Sequence, residues 1–296
     1  MPSPSAPSAP AAIFDYMDRP QRESADLYRH DELAQPVQGV DALDDAHTRF
    51  YAEHGYLAVE SFFTADEVAT TRAALGDLLH GRVAAFNSLM FESGVKDSLA
   101  TMSEAARADA VRKVSKFVQF EPRLDALSKH PRLVAAVERL MGRRAQLFQD
   151  MAMLKPPRMG REKPWHQDHA YFDLPSEDRV VGVWIALDRA TPANGCMHVL
   201  DGGHRDGAII HFKRRDWQIC DTQVMDYKAK HPCVAVPLAP GGVLFFDSFL
   251  PHGTPTNDSD QRRWAVQFHY APADAVKCSE ADRLERFGSE GKDVEC

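Results

Sequence analysis

From Gln146 onward the chain breaks into short apolar runs separated by turn-forming pairs, and this punctuation limits the possible folds more than any other feature of the sequence. The runs are 147–154, 180–187, 197–200, 234–236, 243–246 and 264–270, with Pro156-Pro157, Asn194-Gly195, Gly202-Gly203 and Pro240-Gly241 between them. Such runs are too short for helices but suit strands, and six of them bounded by turn residues predict an all-β sandwich or barrel. Asn194-Gly195, placed between two of the runs, reads as a tight hairpin turn.

Ahead of these runs the signals are mainly helical. Thr64-Ala-Asp-Glu67 is a capping box, and Val68, Leu75, Leu78 and Leu79 follow on one helical face. Pro131 opens a second packed helix through Leu133, Val134, Val137, Leu140 and Met141, stopped by Gly142. A short helix is expected near 104–110, and the stretch Phe50 to Val59 reads as a helix end, a stop at Gly55 and a strand. Lys113-Val-Ser-Lys116-Phe117 alternates as an edge strand does. The Pro-, Ser- and Ala-rich residues 1–14 predict a disordered tail. Residues 15–296 then form a single domain, with a helical N-terminal part to about 145 and a β core from about 146 to 272.

The charge balance narrows the function. With 43 acidic against 35 basic residues the net charge is −8, which speaks against general attraction to nucleic acid or to an anionic membrane and leaves small-molecule work. Five cysteines with no C-x-x-C spacing indicate neither a zinc knuckle nor a disulfide framework. No apolar run approaches the roughly 18 residues of a membrane span and no secretory leader is present, so a soluble, cytoplasmic protein is expected.

Within Trp165-His166-Gln167-Asp168-His169, residues two apart share one face of a strand, so His166 and Asp168 converge. His252, just after the run 243–246, is the candidate third ligand. Two imidazoles and a carboxylate make the facial triad that holds a non-haem ferrous ion and leaves coordination positions open.

These motifs, in order, resemble the phytanoyl-CoA dioxygenase family of iron- and 2-oxoglutarate-dependent oxygenases. The resemblance runs from about Phe50 to Pro272, through Met151-x-x-x-Lys155-Pro-Pro157, His166-Gln-Asp168-x-x-Tyr171-Phe172, Trp184, Asn194-Gly-Cys196, His252-Gly-Thr254-x-x-Asn257 and Arg263. It implies a mostly β fold with flanking helices around a double-stranded β-helix, a jelly-roll of cupin type. It further implies Fe(II) on His166, Asp168 and His252, 2-oxoglutarate as co-substrate, and O2 as oxidant. An aliphatic carbon of a small-molecule or acyl substrate would be hydroxylated with release of succinate and CO2; the carboxylate of Asp168 speaks against halogenation and leaves hydroxylation or a related desaturation or ring-forming oxidation. The matching positions assign co-substrate contacts to Lys113, Met151, Gln167, Trp184, Thr254 and Arg263. Lys113 fits the family pattern better than Lys116; of Arg262 and Arg263 only one can point into the barrel, since adjacent strand residues face opposite ways, and the spacing in the family favours Arg263. A guanidinium suits the far carboxylate because it forks onto it with two parallel bonds.

The sequence departs from the family at Leu200-Asp-Gly-Gly-His204, where Pro-Gly-Ser-His is usual, so His204 is given no catalytic role. His169, His198, His211 and His269 read as surface or satisfied core histidines. Lys213-Arg-Arg215 is either a solvated loop or a receiver for an anionic substrate group such as a carboxylate or a CoA phosphate. The alternative function is a cupin-like metal-binding protein or isomerase without 2-oxoglutarate, which would have no need of a buried Arg263.

Overall fold

The computed structural model describes residues 13–14, 22–39 and 41–288. Two sheets face each other across the interior. The larger runs in the order β1 (Ile13–Phe14), β5 (Leu89–Phe91), β6 (Val111–Ser115), β7 (Ala145–Lys155), β16 (Arg263–Pro272), β9 (Val181–Ala186), β14 (Val243–Asp247), β4 (Tyr56–Glu60) and β3 (Val37–Gln38). The smaller runs β2 (Glu32–Leu33), β13 (Cys233–Val236), β10 (Met197–Leu200), β15 (His252–Thr254) and β8 (Lys163–His166). A separate hairpin joins β11 (His211–Lys213) to β12 (Trp217–Ile219). This is the jelly-roll arrangement, and the six runs read after Gln146 appear in it as β7, β9, β10, β13, β14 and β16.

The pleat decides what each sheet face does. Along β16, Trp264, Val266, Phe268 and Tyr270 point outward into a core shared with Leu75 and Leu78 of the helix Ala65–Leu79 and with Leu133 and Val137 of the helix Pro131–Met141. The intervening Arg263, Ala265, Gln267 and His269 point between the sheets. There Ala265 meets Trp184, Leu244 and Phe246 of the large sheet and Met197, Val199 and Val234 of the small one. Burying one such Phe or Val side chain stabilises by about 1.5–3 kcal/mol, so both faces bind the sheets in place. The expected capping box forms, with Thr64 accepting from the Glu67 amide and Glu67 accepting from the Thr64 amide.

Several expectations change. The part before residue 145 is not only helical, because β1, β3, β4, β5 and β6 complete the large sheet and β2 edges the small one. The strand at Lys113 is interior, hydrogen-bonded to β5 and β7. Asn194-Gly195 makes no hairpin, since the runs on either side belong to different sheets. Asn194 instead closes a single 3-10 turn capped by Thr191, and Gly195, at φ +84, turns the chain where a Cβ would sit 2.6 Å from Pro255 O. The expected tail lies outside the described residues except for Ile13–Phe14, which run parallel to β5. Asp201, the departure from the family pattern, accepts from His54 Nδ1 at 2.7 Å, while His204 donates from Nε2 to Ala52 O. Cys196, Cys233 and Cys278 are free thiols, but Cys220 is disulfide-bonded, where the spacing of the cysteines indicates no disulfide framework. Among the described residues no helix is long and apolar enough to cross a membrane.

Candidate metal centre

β8 ends at His166, Gln167 continues extended, and Asp168 opens a single 3-10 turn, Asp168–Tyr171. Across the antiparallel pair His252 stands opposite His166, with ring centroids 4.3 Å apart. Each imidazole donates from Nδ1 to a carbonyl two residues back: His166 to Pro164 O at 2.7 Å, and His252 to Leu250 O at 2.9 Å. This leaves both Nε2 atoms bare and turned inward, the tautomer a metal ligand needs. Asp168 Oδ1 lies 3.3 Å from His166 Nε2 and 3.7 Å from His252 Nε2. All three ligand atoms fall within 4.8 Å of one another, and all three residues are buried.

Protonation favours the same role. Burial, reinforced by His166, pulls His252 down to about 3, so its imidazole is neutral at physiological pH. Burial works to raise the Asp168 carboxyl, but His269, His252 and His166 around it hold it well below the usual carboxylate range. Phe246 backs His252 at 4.7 Å between centroids, and a Cβ on Gly182 would come within 2.3 Å of the Phe246 ring. Two neutral nitrogens and one carboxylate, converging from one side, are a donor set that fits Fe(II).

The ligands open onto a cavity of about 230 Å³ walled by the inner face of the large sheet. Met151, Trp184, Thr254, Lys113 and Arg263, all singled out from the sequence, line it. Arg263 is 1% exposed, donates from Nη1 to Met153 O at 3.1 Å, stacks 5.4 Å from the Trp184 ring, and leaves its Nε without a partner. Burial lowers it to about 10, which keeps it charged at neutral pH. An unmatched guanidinium in a buried wall calls for an anion, and a dicarboxylate co-substrate supplies one. Arg262, one residue away, is outside, on Asp188 at 3.2 Å and over the Trp264 ring. Lys113 is pulled down to about 8 by burial, whereas Lys116 is exposed in the left-handed region at φ +58.

Gln167 does not join this group. It is fully buried and turned away, donating to Gly207 O and Phe249 O at 2.7 Å and accepting from the Ile209 amide at 2.8 Å. The alternation that brings His166 and Asp168 together sends the residue between them the other way.

Other groups in the wall were not foreseen. Lys163 pairs with Asp216 at 2.5 Å and reaches Tyr171 OH at 3.2 Å, and all three line the cavity with Met90, Gln149 and Gln267. His269, expected among surface or core histidines, is wholly buried with Nε2 2.7 Å from Asp168 Oδ2. His169, His198 and His211 are buried too, with hydrogen bonds to Leu174 O, Cys196 O and Ile209 O. The Lys213-Arg-Arg215 run is divided by the hairpin: Arg215 is buried and bound to Glu162 at 2.7 Å and Asp221 at 2.6 Å, so it is not available to a substrate anion. The two-residue period from Arg263, carried onward, would have pointed to Gln267 and His269. No local signal linked Lys163 to Asp216.

The family model for phytanoyl-CoA dioxygenase (PhyH) matches residues 51–265. A probable phytanoyl-CoA dioxygenase of Caenorhabditis elegans is 28% identical over 245 residues, covering 79% of this chain and 77% of its own. The ectoine dioxygenase of Sphingopyxis alaskensis is 27% identical over 293 residues, or 92% of this chain and 89% of its own. Among solved structures, the non-heme alpha-ketoglutarate-dependent carbocyclase SnoK from nogalamycin biosynthesis has a TM-score of 0.64 at 25% identity, covering 89% of this chain and 97% of its own.

Proposed function

Because the chain belongs to the phytanoyl-CoA dioxygenase family, we propose that this Fe(II)- and 2-oxoglutarate-dependent dioxygenase hydroxylates an aliphatic carbon of a compact polar substrate bearing one negative charge. The observation that carries the reading is that the His166, Asp168 and His252 set opens onto the same cavity as the unmatched Arg263. When bound, the iron and 2-oxoglutarate supply the oxidising chemistry, and succinate and CO2 are released.

The residues of the chain bind, orient and keep the site dry. Arg263 receives the far carboxylate of 2-oxoglutarate with Thr254 beside it, while Trp184, Met151, Met153 and Met197 exclude water around its methylenes. The substrate's size follows from the space: about 230 Å³ is below the roughly 300–1,000 Å³ of ordinary ligand sites, and the co-substrate takes a share of it. A long acyl chain or a CoA moiety would have to lie outside the cavity.

Its charge follows from the lining. Lys163 is neutralised by Asp216 and Arg112 by Glu92, which leaves Arg263 and Lys113 as the cations facing the ligands. With a doubly positive iron, the single charge of Asp168 and a doubly negative co-substrate, one positive charge remains for the substrate to meet. Gln149 and Gln267 add amide groups for its polar parts. A metal-binding barrel without 2-oxoglutarate would leave the buried Arg263 unexplained.

The test is succinate release by Fe(II)-loaded protein over a panel of compact monoanions, neutral analogues and acyl-CoA thioesters, with His252→Ala as control. Turnover with the monoanions, lost in the control, is the expected result. Turnover confined to the thioesters would overturn the substrate class, and failure of 2-oxoglutarate to bind the metal-loaded protein would overturn the co-substrate.

A further inference from the structure

We propose that His269 is a positioning residue for the metal centre: an Nε2–H on its imidazole holds the outer oxygen of Asp168, so that Asp168 meets the metal through Oδ1 alone. This rests on the metal-site reading above and goes beyond it. His166, Asp168 and His252 all come from β8, the turn after it and β15, on the small-sheet side. His269 comes from β16 in the large sheet, at 0% exposure, and reaches across to Asp168 Oδ2 at 2.7 Å. The two carboxylate oxygens are therefore divided, with Oδ1 toward the paired imidazoles and Oδ2 toward His269. A β-bulge between β16 and β7 directly follows His269 in register, the kind of irregularity that aims a side chain beside a site.

The proton's place follows from the neighbours. A carboxylate only accepts, so a bond of 2.7 Å to it requires Nε2 to donate. His269 Nδ1 is buried with no partner, and its ring meets Phe172 edge-on at 5.2 Å. A bare nitrogen there costs less than an orphaned N–H would. Gln267 competes: its Nε2 stands 2.9 Å from His269 Nε2 and 3.4 Å from Asp168 Oδ2. Were Gln267 the donor to a bare His269 Nε2, two acceptors would face each other at 2.7 Å in a dry site, so the bond to the carboxylate prevails. The consequence for chemistry is one of coordination positions. A facial triad leaves three, two for a chelating 2-oxo acid and one for O2, and a carboxylate free to swing both oxygens onto the metal would close one of them.

The experiment uses the full chain with the metal alone, then with 2-oxoglutarate. In Zn(II)-loaded protein carrying ¹⁵N-histidine, long-range imidazole correlations should show Nδ1–H on His166 and His252 and the opposite tautomer, Nε2–H, on His269. Co(II) titration of metal-free protein, followed by its visible spectrum, should show His269→Leu binding Co(II) about 10–100-fold more weakly, with a similar loss in 2-oxoglutarate affinity. His269→Gln, which can present an N–H to the same oxygen, should recover most of both. Thermal unfolding of the metal-free variants separates this from a packing defect, and if His269→Leu does not fold, the wild-type tautomer decides. An Nδ1–H on His269, or a folded His269→Leu with unchanged Co(II) spectrum and affinities, would overturn the proposal. If Zn(II) leaves His166 and His252 unperturbed, it is the metal-site reading that fails.

Discussion

Arg262 and Arg263 differ by one peptide unit, yet one lies over Trp264 at the surface and the other is buried beside Trp184. Arg263→Ala should raise the KM for 2-oxoglutarate by about 10- to 150-fold, since a forked charge-assisted pair contributes about 1.5–3 kcal/mol. Arg262→Ala, which breaks a half-exposed pair, should change it by less than about threefold. Similar KM values in steady-state succinate assays would reassign the anchor. Lys113 gives a pH signature. Because burial pulls it to about 8, its charge fades as pH rises through that value, and binding of the cavity's anions should weaken there. In Lys113→Met the affinity should be low already at pH 7 and flat to pH 9; an alkaline limb surviving in that variant would belong to another group. Folding has the opposite slope: an unfolded lysine keeps its proton to about 10.4, so between the two values the unfolded chain binds more protons and Lys113 makes stability rise with pH. At this scale the convergence of His166 and Asp168 was legible because strand alternation is a local rule, while the choice of Arg263 over Arg262 came from the family's spacing. The same rule, applied to Gln167, would have turned it away from the site, and applied onward from Arg263 it would have found Gln267 and His269.

Among elements, the β11–β12 hairpin departs most from its sequence. Three consecutive cations read as one basic patch, but Arg215 folds inward onto Glu162, which also accepts from Tyr28 OH at 2.9 Å. Arg215→Met should lower stability by about 3–5 kcal/mol in chemical denaturation, because Glu162 stays buried without its counter-ion. Adding Glu162→Leu to it should restore a large part of the loss, and a single variant as stable as wild type would show the pair to be solvated. The strands, capping box and helix stops were legible since each depends on neighbours a few residues apart. The hairpin's docking was not, because it depends on Glu162, far back in the chain, and neither was the crossing at Asn194-Gly195, where the turn signal was sound but which sheets it joins is a property of the whole.

For the whole molecule, His166 and His252 belong to the small sheet, with Asp168 in the turn after β8, and Arg263 belongs to the large one, so iron and 2-oxoglutarate bound as proposed would together tie the halves. Thermal unfolding should therefore rise when metal and 2-oxoglutarate are added together, by the equivalent of about 2.7 kcal/mol at a hundredfold excess over Kd. Asp168→Ala should abolish that shift, and a rise of equal size in the variant would place binding elsewhere. The jelly-roll was legible as a count of runs, and the strands near Val59 and Lys113 were legible ahead of it, whereas β1, β2, β3 and β5 were too short to announce themselves. In β7 and β16 one pleated ribbon serves the cavity with one set of residues and the helix-covered core with the alternate set. Length is thus a stricter constraint there than identity. Deleting a single residue transposes the two sets, delivering Trp264 and Phe268 to the chamber and Arg263 and His269 to the hydrophobic layer. Libraries that vary the chamber-facing positions at fixed length will yield folded enzymes with altered selectivity, while those that let the strands slip by one will yield chains that fail to fold.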